Sequence, residues 1–304
     1  MPLRRKLFEV FSGYRPDCAL FSGGLDSAAA AALTRCKRGI VVTLGEEAPD
    51  LAYARLAAGA LGIDLEHVAV SREEAIDALP AVISVLQSFD PALPNDLAVY
   101  FGLRRALVMG FSSVVTGDGS DELFGGYSYM RSIADLDTYI RGLCRSMSFN
   151  ANCLGDHFGI RVLQPFLHPD IVEVALSLGP EWKIRDRHGT VHGKWVLRKA
   201  LDGVLPDDIL WQDKRPLEAG SGMTSLNEFF DARISDGEFH EKARQYGIHF
   251  MNKAHSYYYK VYRQVIGDIP LPGPDERPCP GCGAGMKKHR GHCQVCGWTE
   301  RGLL

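Results

Sequence analysis

Phe21-Ser22-Gly23-Gly24-Leu25-Asp26-Ser27 places two adjacent glycines, flanking hydroxyls and one carboxylate between an apolar run and an alanine-rich one. Cys18 to Phe21 reads as a short buried strand and Ser27 to Leu33 as a helix, so the glycine pair falls on the turn between them. The first amides of that helix have no partner within it. Glycine lets the backbone approach a bound group closely, and the helix N-terminus adds partial positive charge, which makes the turn a cradle for phosphate oxygens. Ser22 and Ser27 can add hydroxyl donors. Asp26 would repel a phosphate directly but suits one reached through Mg²⁺, so the loop predicts a metal-bound polyphosphate. The plainer alternative is a strand-to-helix turn capped by Ser and Asp.

This loop resembles the SGGxDS pyrophosphate-binding loop of the ATP pyrophosphatases, a group that includes asparagine, GMP and NAD synthetases and several tRNA-modifying enzymes. It is not a Walker A loop: Gly189 to Trp195 comes nearest, with one residue too few and no hydroxyl after Lys194. The resemblance implies an adenine nucleotide alpha hydrolase-like fold and cleavage of ATP between its α and β phosphates. On that basis Leu20, Ser22, Gly23, Gly24, Asp26 and Ser27 are the expected nucleotide contacts of the first turn.

The 304 residues, 46% of them apolar, suffice for about two domains. With 34 basic and 37 acidic residues the net charge is −3, so any nucleic-acid contact must be local. No stretch reaches the roughly 18 apolar residues that span a bilayer, and Met1 to Phe11 lacks the apolar segment of a secretory signal. Cys18, Cys36, Cys144 and Cys153 are scattered in the manner of reduced core thiols, which predicts a cytoplasmic location.

Outward from the loop, Gly39 to Leu44 is a β-branched run, Pro49 to Leu61 has helical spacing and ends at Gly62, and Glu66 to Val70 reads as a third strand. Such alternation predicts an α/β fold, a parallel sheet flanked by helices with ligands at the carboxyl ends of the strands. Ala48-Pro49-Asp50-Leu51, with Ala60-Leu61-Gly62 and His67, resembles the SPDL…A..LG..H stretch of asparagine synthetase synthetase domains. The resemblance implies adenine contacts near Thr43 and Leu44. Residues 71 to 109 look helical, broken at Pro80 and at the Asp90 to Pro94 turn.

The strand Ser113 to Thr116 leads into Gly117-Asp118-Gly119-Ser120-Asp121-Glu122-Leu123-Phe124-Gly125-Gly126-Tyr127. Clustered acids at a strand end repel unless a cation or a substrate proton offsets them. The run resembles the family's GEGSDE(L/V)FGGY motif, which implies that Asp26 and Asp121 hold Mg²⁺ and that Gly117 lines the nucleotide. Asp118 stands where the family has Glu, a carboxylate on a shorter arm that could position or deprotonate the nitrogen nucleophile. Gly159 to His168 resembles GLEVRVPFLD, but Arg161, Leu163 and His168 replace its Glu, Arg and Asp.

The likeness resumes at Gly193 to Lys199 and at Leu205 to Lys214. It implies a catalytic Lys214, stabilising negative charge on phosphate and adduct, and a Lys194 that contacts pyrophosphate. Gly220-Ser221-Gly222 reads as a mobile loop. Ser225 to Ile266 is helical, its Tyr and Phe read as packing. Four prolines between Pro270 and Pro278 then mark a linker.

Cys279-x-x-Cys282 and Cys293-x-x-Cys296 predict a Cys₄ zinc ribbon whose stability comes largely from Zn²⁺. Its basic tip, Lys287 to Arg290, could touch RNA or an acidic protein. The expected organisation is therefore a synthetase-like domain at 1–268, a linker at 269–278 and the ribbon at 279–304. The resemblance, covering Cys18 to Gly222, implies a ligase that uses ATP to activate a carboxylate as an acyl-adenylate for ammonia or an amine. A chain opening on Met1-Pro2 carries no N-terminal nucleophilic Cys, so the expected nitrogen source is free ammonia, a substrate amine or a separate partner. Two alternatives stand beside this: a tRNA-modifying enzyme gripping RNA through the ribbon, and a nucleotide-binding scaffold whose ribbon docks a protein.

Overall fold

The computed structural model describes residues 2–212, 216–288 and 290–300. In chain order the first half comprises α1 (Pro2–Phe11), β1 (Cys18–Leu20), α2 (Leu25–Thr34), β2 (Arg38–Leu44), α3 (Pro49–Leu61), β3 (Asp64–Val70), α4 (Arg72–Leu86), α5 (Leu93–Val108), β4 (Ser113–Val115) and α6 (Ser120–Phe124). It continues with α7 (Leu136–Ser146), α8 (Asn150–Phe158), β5 (Arg161–Leu163), α9 (Pro169–Ser177), α10 (Pro180–Lys183) and the hairpin β6 (Arg185–Arg187) and β7 (Thr190–His192). The short helices α11 (Trp195–Ala200), α12 (Asp207–Leu210) and α13 (Leu217–Gly220) precede α14 (Ser225–Asp231), α15 (Asp236–Tyr246) and α16 (Lys253–Val265). Last comes an antiparallel pair, β8 (Glu276–Pro278) and β9 (Gly285–Lys287).

The main sheet is parallel throughout, in the order β3-β2-β1-β4-β5. Side chains alternate across it with the strand period of two. Cys18, Ile40 and Val114 face one apolar cluster, built with α4, α5, α8, α14 and α16, while Ala19, Val41 and Val115 face another, built with α1, α2, α3, α9 and α11. The connections run to one side from β1 and to the other from β4, which opens a crevice between those strands at their carboxyl ends. The Gly23-Gly24 turn follows β1 and the acidic run follows β4, so both lie at this crevice.

Three expectations need correction. Pro80 does not break the helix; α4 continues through it because the proline is exposed and only one backbone hydrogen bond is forfeited. Residues 225–266 form three helices, because Ser235 and Asn252 cap new N-termini and Gly247 turns the chain at φ 62°. Gly220 to Gly222 is not a loose loop: Ser221 is buried, its carbonyl accepts the Leu44 N–H at 2.8 Å, and Gly220 backs onto the Asp50 carboxylate with no space for a Cβ. Among the described residues, no helix is long and apolar enough to cross a membrane.

Candidate active site

The turn after β1 is held from behind. Gly23 has φ +76°, and a Cβ there would strike the backbone of Tyr53 and Ala54 in α3, so only glycine fits. In front, the Ser22 and Ser27 hydroxyls lie 3.2 Å apart; Ser27 donates to the Gly24 carbonyl at 3.1 Å and the Gly24 N–H donates to Ser22 Oγ at 3.3 Å. Gln212 Nε2 donates to the Gly23 carbonyl at 3.0 Å, tying the segment after α12 to the loop. The buried Arg198 fixes that segment by donating to the carbonyls of Leu210 and Gln212.

The turn after β4 lies directly beside it. A Cβ on Gly117 would sit 2.5 Å from Asp26 Cβ, and Ser120 Oγ donates to Asp26 Oδ1 at 2.6 Å. Lys194 Nζ closes the cluster, 2.5 Å from Asp26 Oδ2 and 2.6 Å from Asp121 Oδ1, with the lysine side chain only 3% exposed. Its backbone is left-handed, at φ 56°, and its N–H donates to the Phe124 carbonyl at 3.0 Å. A side chain on Gly126 would collide with both Asp121 and Lys194. Two carboxylates from separate turns thus aim at one positive centre, and an all-oxygen donor set of this kind suits Mg²⁺.

Asp118 is set slightly apart. Its Oδ2 accepts from Thr116 Oγ1 and from Gln164 Nε2, both at 2.7 Å, and Gln164 Oε1 in turn accepts from Asn152 Nδ2 at 3.1 Å. Burial raises its pKa, with smaller contributions from the Asp26 and Asp121 charges, while the two donors hold it down. Glu122 is likewise raised by burial and is hydrogen-bonded by Tyr127 at 2.6 Å.

On the β2 side, Thr43 Oγ1 donates to the Gly45 carbonyl at 2.6 Å and meets His67 Nε2 at 2.7 Å. Leu20 packs against Gly102 of α5, where a Cβ would come within 2.9 Å. Leu20, Ser22, Gly23, Gly24, Asp26, Ser27, Thr43, Gly117, Asp118, Asp121 and Lys194 therefore all border the carboxyl ends of β1, β2 and β4. Lys214 lies outside the described residues. The sequence reading missed Thr116, Ser120, Gln164 and Gln212, which hold the site residues in place. Gln164 had a signal, since it stands where the family pattern has an apolar residue.

At the other end of the chain the four Sγ atoms of Cys279, Cys282, Cys293 and Cys296 lie within 4.8 Å of one another. Cys279 and Cys296 are 3.7 Å apart and Cys282 and Cys293 3.9 Å. A tetrahedron with zinc–sulfur arms of 2.3 Å has edges of about 3.8 Å, so these thiols fit a Cys₄ metal centre.

The asparagine synthase family model matches residues 11–146 and 133–258. The chain belongs to the asparagine synthase family. Among curated relatives, a probable asparagine synthetase [glutamine-hydrolyzing] of Dictyostelium discoideum is 33% identical over 64% of this chain and 38% of its own length. The corresponding protein of Schizosaccharomyces pombe is 30% identical over 72% of this chain and 42% of its own, and the Zea mays asparagine synthetase 28% over 70% and 39%. This family member spans under half the length of those relatives. The family match stops at residue 258, ahead of the cysteine cluster.

Proposed function

We propose that this asparagine synthase family member is an amide-forming ligase that converts ATP to AMP and pyrophosphate. A substrate carboxylate oxygen attacks the α-phosphorus, pyrophosphate leaves, and ammonia or an amine displaces AMP from the acyl-adenylate. The observation that carries this reading is the convergence of Asp26 and Asp121, from the turns after β1 and β4, on a single cation. With ATP present these carboxylates would hold Mg²⁺, which supplies neutralising charge to the diphosphate. The Gly23-Gly24 backbone, Ser22, Ser27 and Gly117 cradle the phosphates, and Leu20 and Thr43 border the adenine. Lys194 and Lys214 provide further positive charge where negative charge develops on the phosphates. Asp118, its pKa raised by burial while two donors hold its carboxylate in place, accepts a proton from the attacking nitrogen.

Leu163 and His168 stand where the family pattern has Arg and Asp, so we assign the substrate as a carboxylate by class and not as aspartate. Zn²⁺ is the metal best matched to the four thiols of the knuckle. Eight cysteines, all free, suit a reducing, cytoplasmic setting. The test is to incubate the protein with ATP, Mg²⁺, ammonia and a panel of carboxylates and follow AMP and pyrophosphate. Carboxylate-dependent pyrophosphate release is expected; release of ADP and phosphate instead would overturn the assignment.

A further inference from the structure

The cysteine knuckle is not held at a distance from the body. The Val295 carbonyl accepts the Phe89 N–H at 2.7 Å and the Ser88 hydroxyl at 3.2 Å, and the Gly281 carbonyl accepts the His249 N–H at 2.9 Å. His292 Nε2 lies 3.2 Å from the Asp90 carboxylate, and Gln294 Nε2 donates to Ser148 Oγ at 3.3 Å. Cys279, Ala284, Met286, Cys293 and Cys296 belong to the same apolar cluster as Phe89, Tyr259 and Tyr262. One face of the knuckle is therefore used up in the interior of the protein.

Two helix heads are among its partners. Ser88 to Asp90 form the turn feeding α5: Ser88 Oγ accepts the Asp90 N–H at 3.1 Å and Asp90 Oδ1 accepts the Ala92 N–H at 2.8 Å. Ser148 precedes α8. Both helices run back to parallel strands, α5 to β4 and α8 to β5, so their first residues lie at the carboxyl ends of the strands, on the side of the candidate site. The two heads are joined: Asn150, which opens α8, donates to both oxygens of Asp96 in the first turn of α5 at 3.2 Å. One residue beyond Ala151, Asn152 donates to Gln164, and Gln164 to Asp118.

We infer that the four-cysteine centre is a metal-dependent clamp on the heads of α5 and α8, and through them a wall of the Asp118 side of the site. This rests on the metal reading given above and is independent of the reaction proposed there. Without metal, four thiols and a few short strands have too little buried surface to hold that geometry. Loss of the ion then frees residues 88–96 and 148–152 and loosens the Asn152–Gln164–Asp118 contacts. The Gly23-Gly24 turn, backed by α3 on the opposite face of the sheet, keeps its shape.

The experiment compares the full-length protein as zinc-loaded and as stripped by chelator with reductant. Zinc content is read by mass spectrometry, amide exchange peptide by peptide, and ATP binding by calorimetry. Stoichiometric zinc is expected, with exchange in 88–96 and 148–152 accelerated about tenfold on stripping and peptides covering Gly23 to Leu33 little changed. Absence of bound metal, or full protection of 88–96 and 148–152 after complete stripping, would overturn the clamp. Should stripping unfold the whole chain, the double variant His292→Ala, Gln294→Ala decides, since it removes the knuckle's side of both contacts and leaves the thiols and the Asp90 cap of α5 untouched. It should keep its zinc and still show faster exchange at both helix heads; unchanged exchange refutes the inference. Loss of ATP binding in the loaded wild type would instead contradict the ligase reading and leave the clamp standing.

Discussion

Lys194 is the residue on which the candidate site closes, and its backbone conformation has a cost. A non-glycine residue in the left-handed region sacrifices about 1–2 kcal/mol, which here is offset by the two carboxylates its ammonium meets. Lys194→Ala should therefore do more than remove a charge: it leaves Asp26 and Asp121 facing each other and should destabilise the metal-free protein by about 3 kcal/mol. Millimolar Mg²⁺ should restore most of that loss. Urea unfolding with and without Mg²⁺ measures both, and a variant as stable as wild type in metal-free buffer contradicts the account. Gln164→Val removes one of two donors to the Asp118 carboxylate, so its pKa should rise further. Carboxyl-carbon NMR titration reads this without any substrate; an unmoved midpoint would show that Gln164 does not tune Asp118. Asp26, Asp118 and Asp121 were legible in the sequence because glycines and acids recur around strand ends. Gln164 was not, because its importance lies in what it touches across space and not in its neighbours along the chain.

At the level of elements, the head of α5 holds a titratable group in an unusual state. Burial raises Asp96 from 3.8 to about 8, the Asn150 amide opposing the shift and the Asp90 charge adding slightly to it. Between those values the folded protein keeps a proton that the unfolded chain has lost, so stability is full below pH 3.8 and is lost as pH rises through about 8. The slope should reach at most about 1.4 kcal/mol per pH unit. Asp96→Asn should flatten it, and denaturant unfolding between pH 5 and pH 8 compares the two. Pro80→Ala in α4 should stabilise by about 1–3 kcal/mol, because it restores a backbone donor at an exposed position. A lower melting temperature for that variant would mean that the helix depends on the proline. The bounds of α3 were readable to the residue, with Pro49 at its start and Gly62, at φ 61°, at its end. The breaks between α14, α15 and α16 were equally encoded in Ser235, Gly247 and Asn252. They were masked by a run of aromatic residues, most of which belong to the core.

Across the whole molecule, the alternation of strands and helices made the parallel sheet legible, since periodicity and turn residues are local signals. The seating of the tail on the turn between α4 and α5 and on the head of α8 was not. It depends on contacts such as Ser88 to Val295, 207 residues apart, and on Phe89 at the centre of a nest of His255, Tyr259 and Tyr262 at 5.0–5.3 Å. The spacing of the cysteines announced a metal knuckle without saying what it would cover. A chain ending before Glu276 should accordingly expose this nest, bind a hydrophobic dye and melt at a lower temperature. An unchanged melting temperature would show that the body needs no cover there.

The thiol spacing has a practical side. The close pairs, Cys279 with Cys296 and Cys282 with Cys293, each join one half of the knuckle to the other. Preparations purified in air and without chelatable zinc would drift toward oxidised cross-links between the halves, a form unable to take up the ion again until reduced. Two laboratories working from the same gene would then hold different proteins, and the freezer history of a sample would decide which one was assayed.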